Sequence, residues 1–219
     1  PTNMASMTVY LFKTSLLIDI LKTNVKESSH EFGRDILPKL VKQGMLYGYK
    51  FRDPWYYART INSYYKAHQA LLNRKFDLNA WQIRTNLVER SEKGDRVPAR
   101  VNGDVANSVI SEGCIINGQV VNSVLSPGVI VDKGAIVQDS IIFHDSMIQN
   151  GAFLKRAILD KDVVIAENAE IGRSGSDVRS KEYGELLEDG FTLIGKSIKI
   201  PAQTKVAANS VIFSTAREI

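Results

Sequence analysis

The chain has 219 residues, with 28 lysines and arginines against 24 aspartates and glutamates, and a formal net charge of +4. This length allows one large or two modest domains, and 44% hydrophobic residues is ordinary for a globular protein. We see no bilayer-length apolar run, no secretory signal and no arginine-rich run, which excludes membrane and nucleic-acid partners. The lone Cys114 excludes an internal disulfide and favours a reducing compartment, so we expect a cytoplasmic protein with a buried thiol.

The first part of the chain alternates predicted strands and amphipathic helices. A strand is predicted over residues 8–12, followed by a helix capped by Thr14, a second helix that ends near Gly44, and a strand over residues 45–51. Thr60 predicts the start of a third helix. This βαβα order is typical of the edge of a mixed α/β sheet but is too short for such a domain. We therefore expect the sequence to come from a larger protein.

The rest of the chain contains a connector and a repetitive region. Residues 74–100 read as a linker in which Trp81–Thr85 predicts a short docking strand. Repeats fill residues 101–219, except for the charged segment 173–190, which predicts a loop ejected from one corner of the repeat structure. The predicted domains are thus 1–73, 74–100 and 101–219.

Near-repeats begin at Asn107, Asn122, Asp139 and Arg156, at intervals of 15, 17 and 17 residues. Short apolar strands at a fixed period cannot bury a face alone and must stack on neighbouring copies, which predicts a parallel β-helix. We expect the aligned aliphatic side chains to fill its interior. The aligned apolar sets are Val124, Ile141 and Ile158; Val131, Ile148 and Ile165; and Val137, Leu154 and Ile171, with equivalent turn glycines at Gly113 and Gly128 and at Gly134 and Gly151.

Several motifs together identify a resemblance. Residues 4–12 read MASMTVYLF, residues 29–40 read SHEFGRDILPKL, residues 55–67 read WYYARTINSYYKA, and WQIRT at 81–85 is followed by Pro98-Ala99. In this order they resemble ASMGIYVF, SHDFGKDIIPKL, YWRDVGTIESYYEAN and the linker WPIRT…PPA of bacterial glucose-1-phosphate adenylyltransferases (ADP-glucose pyrophosphorylases). The resemblance implies a mixed fold: the C-terminal fragment of an α/β nucleotidyltransferase domain, followed by a left-handed parallel β-helix of hexapeptide-like repeats.

The resemblance also implies a reaction. The intact enzyme would join glucose-1-phosphate to ATP with Mg²⁺, giving ADP-glucose and pyrophosphate for glycogen synthesis, and would work as a homo- or hetero-oligomer. The family's glycine-rich phosphate loop, its first metal-binding aspartate and its sugar-phosphate Glu-Lys pair find no match in this chain. We therefore expect this chain alone to be inactive, with no catalytic residue, metal ligand or cofactor of its own.

Two positions carry chemistry over from the family. Ser6 matches a serine that hydrogen-bonds the glucose ring, and its hydroxyl can both donate and accept. Tyr57 stands where the family has an aspartate that completes the metal site, and Arg59 replaces a glycine. A phenol that ionises near pH 10 cannot replace a carboxylate on Mg²⁺. This departure favours a different interpretation: a non-catalytic regulatory subunit of the same assembly.

The sequence is also compatible with two further enzyme classes. His144 on a repeat corner suits the general base of a hexapeptide-repeat acyltransferase, although a solvated corner histidine is the simpler interpretation. A pyrophosphorylase for another sugar, such as mannose-1-phosphate with GTP, is the second class. A loose basic group near the ejected loop predicts either ordinary surface charge or an anionic-effector site of the kind the family implies. Its members are Lys155, Arg156, Arg173, Arg179 and Lys181.

Overall fold

The described part of the chain forms two compact units, Pro1–Trp55 and Tyr56–Ile219. This division at residue 55 does not correspond to a predicted boundary at residue 73 or 100, and the predicted domain boundaries stay predictions. Most of the predicted linker, including the strand at 81–85, and most of the predicted loop 173–190 lie outside the described residues. The computed structural model describes residues 4–27, 29–73, 97–173, 187 and 189–213.

The first unit contains two helices. α1 spans Thr14–Asn24, and a π-helical turn over Phe32–Ile36 continues directly into α2, Leu37–Lys42. The predicted Thr14 cap is wrong, because Lys13 occupies the N-cap position without a side-chain hydrogen bond and Thr14 is already helical. A threonine caps a helix only when its own backbone is extended, so that its hydroxyl can accept from an N–H of the first turn. In this chain the extended residue before α1 is Lys13.

A small core and several polar contacts hold the first unit together. Ile36 and Leu40 are buried, and the Asn24 Nδ2 atom lies 2.8 Å from Nδ1 of His30. His30 therefore packs locally, within the first unit. Gly44 ends α2 at φ +67°, a left-handed conformation that favours glycine, and this confirms the predicted helix end.

The strands predicted over residues 8–12 and 45–51 are wrong for the described structure. Both segments are irregular, with no strand pairing among the described residues, and the chain at Thr8 takes a positive φ of 57°. Leu11 and Tyr47 are almost fully exposed. A strand requires a neighbour that exchanges backbone hydrogen bonds with it, so an apolar β-like composition alone does not produce one.

Most of the described part of the second unit is a parallel β-helix with three faces of six strands each, which confirms the architecture predicted from the repeats. Face A is built from β1 Arg100–Val101, β4 Ile115–Ile116, β7 Ile130–Val131, β10 Met147–Ile148, β13 Val164–Ile165 and β16 Lys199–Ile200. Face B is built from β2 Asp104–Ala106, β5 Gln119–Val121, β8 Ile136–Gln138, β11 Phe153–Lys155, β14 Glu170–Ile171 and β17 Lys205–Val206. Face C is built from β3 Val109–Ile110, β6 Val124–Leu125, β9 Ile141–Ile142, β12 Ala157–Leu159, β15 Thr192–Ile194 and β18 Val211–Ile212.

The interior of the coil is filled by side chains that stack in register from turn to turn. Val131, Ile148 and Ile165 pair directly and have no exposed surface, as do Val137, Leu154 and Ile171 on face B. The third predicted column, Val124, Ile141 and Ile158, is also in register but points outward on face C. Its inward place is taken by the following residues, so for that column the expectation of an interior position is wrong. Those inward residues are Leu125, Ile142, Leu159 and Ile194.

The shorter first interval between repeats has a local cause. The corner from face A to face B contains only Asn117 and Gly118 in the second turn, but residues 132–135 in the third. The two missing residues account for the change from 15 to 17. Gly118 lies in the last short corner, directly beside the first long corner. A Cβ atom at this position would lie 2.6 Å from the carbonyl oxygen of Asp132. A glycine is therefore required there by space.

A third helix, α3 (Ile61–Leu72), belongs to the second unit. Its N-cap Thr60 and Ser63 form a reciprocal capping box, which confirms the predicted helix start. The Tyr65 ring lies 4.7 Å from that of Phe191, and Gln69 Nε2 donates to the Asn122 carbonyl at 3.3 Å. α3 therefore packs along the corner between faces B and C. Within the described ranges, no helix is long and apolar enough to cross a bilayer.

Candidate functional site

The predicted sugar-binding serine lies in the first unit, on an exposed irregular segment. The backbone N–H of Thr8 donates to Ser6 Oγ at 3.2 Å, and the Tyr10 hydroxyl lies 3.5 Å from the same oxygen. The Ser6 hydroxyl stays exposed and can still donate a hydrogen bond to a ligand. Its role in sugar binding stays a prediction.

The segment before α3 brings the two departures from the family motif into contact. Arg59 Nη1 donates a hydrogen bond to the Tyr57 hydroxyl at 3.0 Å. The phenol oxygen therefore accepts from a cation at the position where the family places a metal-binding carboxylate. A guanidinium repels Mg²⁺, and a neutral phenol is a poor ligand for it, so these residues do not fit the metal. Among the described residues, we find no cluster of three or more histidine, cysteine, aspartate or glutamate side chains with metal-site geometry.

Half-buried titratable groups follow on α3. His68 Nδ1 lies 3.0 Å from the Tyr64 carbonyl oxygen, and its ring packs 4.4 Å from the Tyr64 ring. Burial lowers the pKa of His68, although this hydrogen bond acts in the opposite direction. Burial also raises the pKa of Tyr65 to about 12, with a smaller contribution from the negative charge of Asp139. These groups are neutral at physiological pH, which suits a helix packed against an apolar face.

Arg156 anchors α3 to the β-helix. Its guanidinium lies 4.6 Å from the centre of the Phe191 ring and 5.9 Å from that of Tyr65, so both rings lie within cation–π distance. Its backbone has a positive φ of 50°, and the equivalent corner positions in other turns are Asn107, Asn122 and Asp139. Asparagine and aspartate tolerate this conformation better than arginine does. The contacts of its side chain with these two rings therefore explain why an arginine lies at this corner.

The predicted effector group is only partly described. Arg173 lies with its guanidinium 4.2 Å from the Phe153 ring centre and 3.3 Å from the Glu170 carboxylate, while Lys155 is exposed on face B. Arg179 and Lys181 lie outside the described residues. Since Arg156 and Arg173 both lie over aromatic rings, their positions support packing roles, and the effector site stays a prediction.

An apolar groove of about 280 Å³ runs along face C beside α3. Its floor is formed by the outward side chains of Ile158, Leu193 and Val211, and Tyr64 of α3 and Asp160 lie at its rim. Nearby, the His144 ring packs on Phe143, and its Nδ1 atom is buried with no hydrogen-bond partner. A buried Nδ1 does not by itself identify a general base, so the acyltransferase interpretation stays a prediction.

Although the phosphate loop of the resembled family is absent, one segment of the chain matches another nucleotide-binding motif by its residue types. Residues 190–197 read GFTLIGKS, which matches the phosphate-loop pattern G-x-x-x-x-G-K-S. In the structure, Thr192–Ile194 is strand β15, and the coil continues into β16 with no helix after Gly195. The N–H of Gly195 donates to the Ile212 carbonyl at 2.8 Å. The Leu193 and Gly195 amides are used in strand pairing, so they are not available to bind a phosphate. The match to the motif is therefore accidental.

Comparisons with known proteins agree with this architecture. The nucleotidyl transferase family model matches residues 1–74, and the model described as "GlmU-like, C-terminal hexapeptide" matches residues 96–194. A glucose-1-phosphate adenylyltransferase of Thermomicrobium roseum is 36% identical over 99% of this chain and 51% of its own length. Proteins of the same name from Acetivibrio thermocellus and Fervidobacterium nodosum are 34% and 32% identical over 99% and 96% of this chain and 52% and 51% of their own lengths. The chain thus spans about half the length of the curated relatives it matches.

Proposed function

Because this chain is a homologue of the glucose-1-phosphate adenylyltransferases over nearly all its length, we propose that it forms the sugar-side edge and the assembly region of such an enzyme. The observation that carries the proposal is the order of the two matches, a nucleotidyl transferase segment followed by hexapeptide repeats. The structure is consistent with that order, since α3 ends the first match and packs on the β-helix of the second.

The proposed reaction is a nucleotidyl transfer. A phosphate oxygen of glucose-1-phosphate attacks the α-phosphorus of ATP, a new phosphorus–oxygen bond forms, and the bond to pyrophosphate breaks, which leaves ADP-glucose. The proposal assigns Mg²⁺ to residues of the intact enzyme outside this chain, because Tyr57 and Arg59 do not fit the metal, and there it would neutralise the phosphate charges. From this chain, Ser6 would bind the sugar, and the basic group near Arg173 would take an anionic allosteric effector. We place the protein in the cytoplasm, as part of an oligomer that feeds glycogen synthesis.

The test is an assay of the full-length protein for ADP-glucose formation from ATP and glucose-1-phosphate, with Mg²⁺ present and absent. The proposal predicts Mg²⁺-dependent product, and a Ser6→Ala variant should raise the KM for glucose-1-phosphate with little change in the KM for ATP. Exchange of glucose-1-phosphate for mannose-1-phosphate, and of ATP for GTP, checks the substrate class. Faster turnover with the exchanged pair would contradict the proposed substrates.

A second candidate function is a regulatory subunit without catalysis of its own. The contact between Tyr57 and Arg59 favours it, because a phenol and a cation stand where the family has an aspartate and a glycine. Such a subunit would assemble with an active relative and change its response to effectors.

A paired substitution separates the two candidates. The double variant Tyr57→Asp, Arg59→Gly restores the family letters at both positions. If the natural protein is regulatory, full-length protein alone turns over slowly and the double variant gains Mg²⁺-dependent activity. If the natural protein is catalytic, solo turnover is normal and the double variant brings no gain. Tyr57→Phe, which removes only the hydroxyl, is the matched control and should restore nothing.

A further inference from the structure

The sequence Asn-Gly occurs three times in this chain, at residues 102–103, 117–118 and 150–151, each time at a corner from face A to face B. In such a pair the glycine nitrogen can attack the amide carbon of the asparagine side chain, since glycine has no side chain to hinder the approach. A carbon–nitrogen bond forms, and the amide group leaves as ammonia with the proton of the glycine nitrogen. Water then opens the resulting succinimide ring to aspartate or to isoaspartate, in which the main chain runs through the side-chain carboxyl group.

The three glycine nitrogens differ in their hydrogen bonds. The Gly103 N–H donates to the Ile116 carbonyl at 3.0 Å, and the Gly118 N–H donates to the Val131 carbonyl at 3.3 Å. Among the residues that the structure describes, none accepts a hydrogen bond from the Gly151 N–H. The attacking nitrogen has to lose its proton, and a bonded N–H loses it less readily than one that is open to water. Gly151 therefore offers the most reactive nitrogen of the three.

The packing around the three corners differs in the same direction. A Cβ atom on Gly103 or on Gly118 would clash with backbone atoms of the following turn, so these two peptides have little room to rotate. A Cβ atom on Gly151 would instead clash with the side-chain oxygen of Asn168, which is exposed and can move aside. Ring closure requires the peptide between asparagine and glycine to rotate, and this rotation is therefore easiest at the third pair.

The side-chain amides of the three asparagines are held differently. Asn102 Nδ2 donates to Asn117 Oδ1 at 2.9 Å, so these two amides restrain each other. The Asn150 side chain is exposed and makes no hydrogen bond within the described ranges, so it can turn towards the Gly151 nitrogen. The Asn150 carbonyl accepts from the Asn168 N–H at 3.0 Å, and this bond has to break when the peptide rotates.

We propose that Asn150 is a site of spontaneous deamidation, with water as the co-reactant and isoaspartate as the main product. Residues 149–152 form a reverse turn, closed by a hydrogen bond of 3.1 Å from its last N–H to its first carbonyl. The same turn recurs at residues 132–135 and 166–169, and strand pairing stacks the three corners in register. Isoaspartate lengthens the main chain of one corner by a carbon atom, so that this corner no longer matches its neighbours. Deamidation therefore loosens the coil at its fourth turn.

The experiment is peptide mapping by mass spectrometry after storage of the folded protein in mildly alkaline water enriched in heavy oxygen. Opening of the succinimide places the heavy oxygen on the reacted residue, and trypsin separates the third pair from the other two because it cuts after Lys133. Label should enter Asn150 roughly tenfold faster than Asn117, because ring closure at Asn117 must first break the Gly118 hydrogen bond and displace packed backbone. Label that enters Asn117 as fast as Asn150 overturns the proposal.

The same protein unfolded in urea is the matched control. Unfolding removes the hydrogen bonds and the packing but leaves an Asn-Gly pair at all three places, so the three rates should converge. A lead of Asn150 that persists undiminished in urea assigns the order to the neighbouring residues and contradicts the structural explanation.

Two variants test the effect on the coil. Asn150→Gln should react far more slowly, because glutamine has to close a larger ring, and Asn150→Asp carries the new charge without the longer main chain. After storage, the natural protein should unfold at a lower urea concentration than before, while the stored Asn150→Gln protein should keep its midpoint. An equal loss in both would refute the loosening of the fourth turn. Fresh Asn150→Asp protein should keep most of the natural midpoint, and a fall as large as that of the stored natural protein would assign the loss to charge and contradict the role of isoaspartate.

Discussion

Gly118→Ala tests the step between the short and long corners of the β-helix. The added Cβ would lie 2.6 Å from the carbonyl oxygen of Asp132 and closer still to that of Ala135, both backbone atoms of the next turn. Ordinary contact needs about 3.4 Å, so the two turns must separate. That movement loosens the hydrogen bonds that Gln119 N–H donates to Ala135 at 2.8 Å and Gly118 N–H donates to Val131 at 3.3 Å.

The expected cost combines two effects. Overpacking a filled site costs about 1–3 kcal/mol, and a weakened backbone hydrogen bond adds roughly 1 kcal/mol, so the free energy of unfolding should fall by about 2–4 kcal/mol. Urea unfolding followed by far-UV circular dichroism measures this. Gly48→Ala is the control, because no atom lies within 4 Å of its added methyl group, and it should leave the midpoint unchanged. If Gly118→Ala also leaves the midpoint unchanged, this corner geometry is refuted.

Three further changes test the core, the cap and the pH response. Ile148→Ala removes a side chain with no exposed surface and should lower the free energy of unfolding in urea by about 2–5 kcal/mol. Met147→Ala, on the outer side of the same strand, should lower it far less in the dissociated chain. Equal losses would mean that the inward and outward assignments are mistaken. Thr60→Ala removes the oxygen that accepts from the Ser63 N–H at 3.1 Å and should lower stability by about 1 kcal/mol, while Thr60→Ser, which keeps the oxygen, should not. Burial lowers the pKa of His68 below its ordinary 6.5, so the unfolded chain binds the proton more readily than the folded protein. The free energy of unfolding should therefore be highest above pH 6.5 and should decline as the pH falls below it. The decline should level off once the folded protein is also protonated. His68→Gln should flatten that decline in pH-dependent thermal unfolding, and an unchanged slope would assign it to other groups.

The repeats made most of the β-helix predictable. Aliphatic residues at a fixed spacing can be satisfied only by stacking, and the register of Val131, Ile148 and Ile165 follows directly from the alignment of the copies. The direction in which a column points is harder to read, because inward and outward positions on face C are both aliphatic. Ile141 lies on the outward column and is still only 1% exposed, and the residue pattern does not distinguish it from its inward neighbour Ile142.

Local propensity was less informative in the first unit. Residues 8–12 and 45–51 have strand-like composition, but a strand is a pairing, and the composition names no partner. The prediction of a Thr14 cap depended on residue type alone, although capping depends on where the chain turns helical. Thr60 was predicted correctly from its residue type and place before the apolar pattern, and the structure adds a reciprocal hydrogen bond with Ser63 that the prediction did not use.

The residue types of the candidate site could be read from the sequence, but the contacts between them could not. The substitutions at Tyr57 and Arg59 are visible in the sequence, yet their hydrogen bond to each other is a property of the folded chain. The charge of Arg156 alone placed it in the predicted effector group. The alignment of its position with Asn107, Asn122 and Asp139 was the available signal that it lies at a left-handed corner, where the side chain needs a structural reason.

Amide hydrogen exchange of this chain, read by mass spectrometry, tests the stacked coil most directly. The N–H groups of Asn117, Asp132 and Gln149 each donate to a carbonyl in the following turn, to Val131, Ile148 and Ile165, at 2.8–2.9 Å. The account predicts that peptides covering these residues exchange slowly and together, with the segments around residues 8–12 and 45–51 exchanging orders of magnitude faster. Rapid exchange at Asn117, Asp132 and Gln149 under native conditions would contradict the coil and the assignment that depends on it.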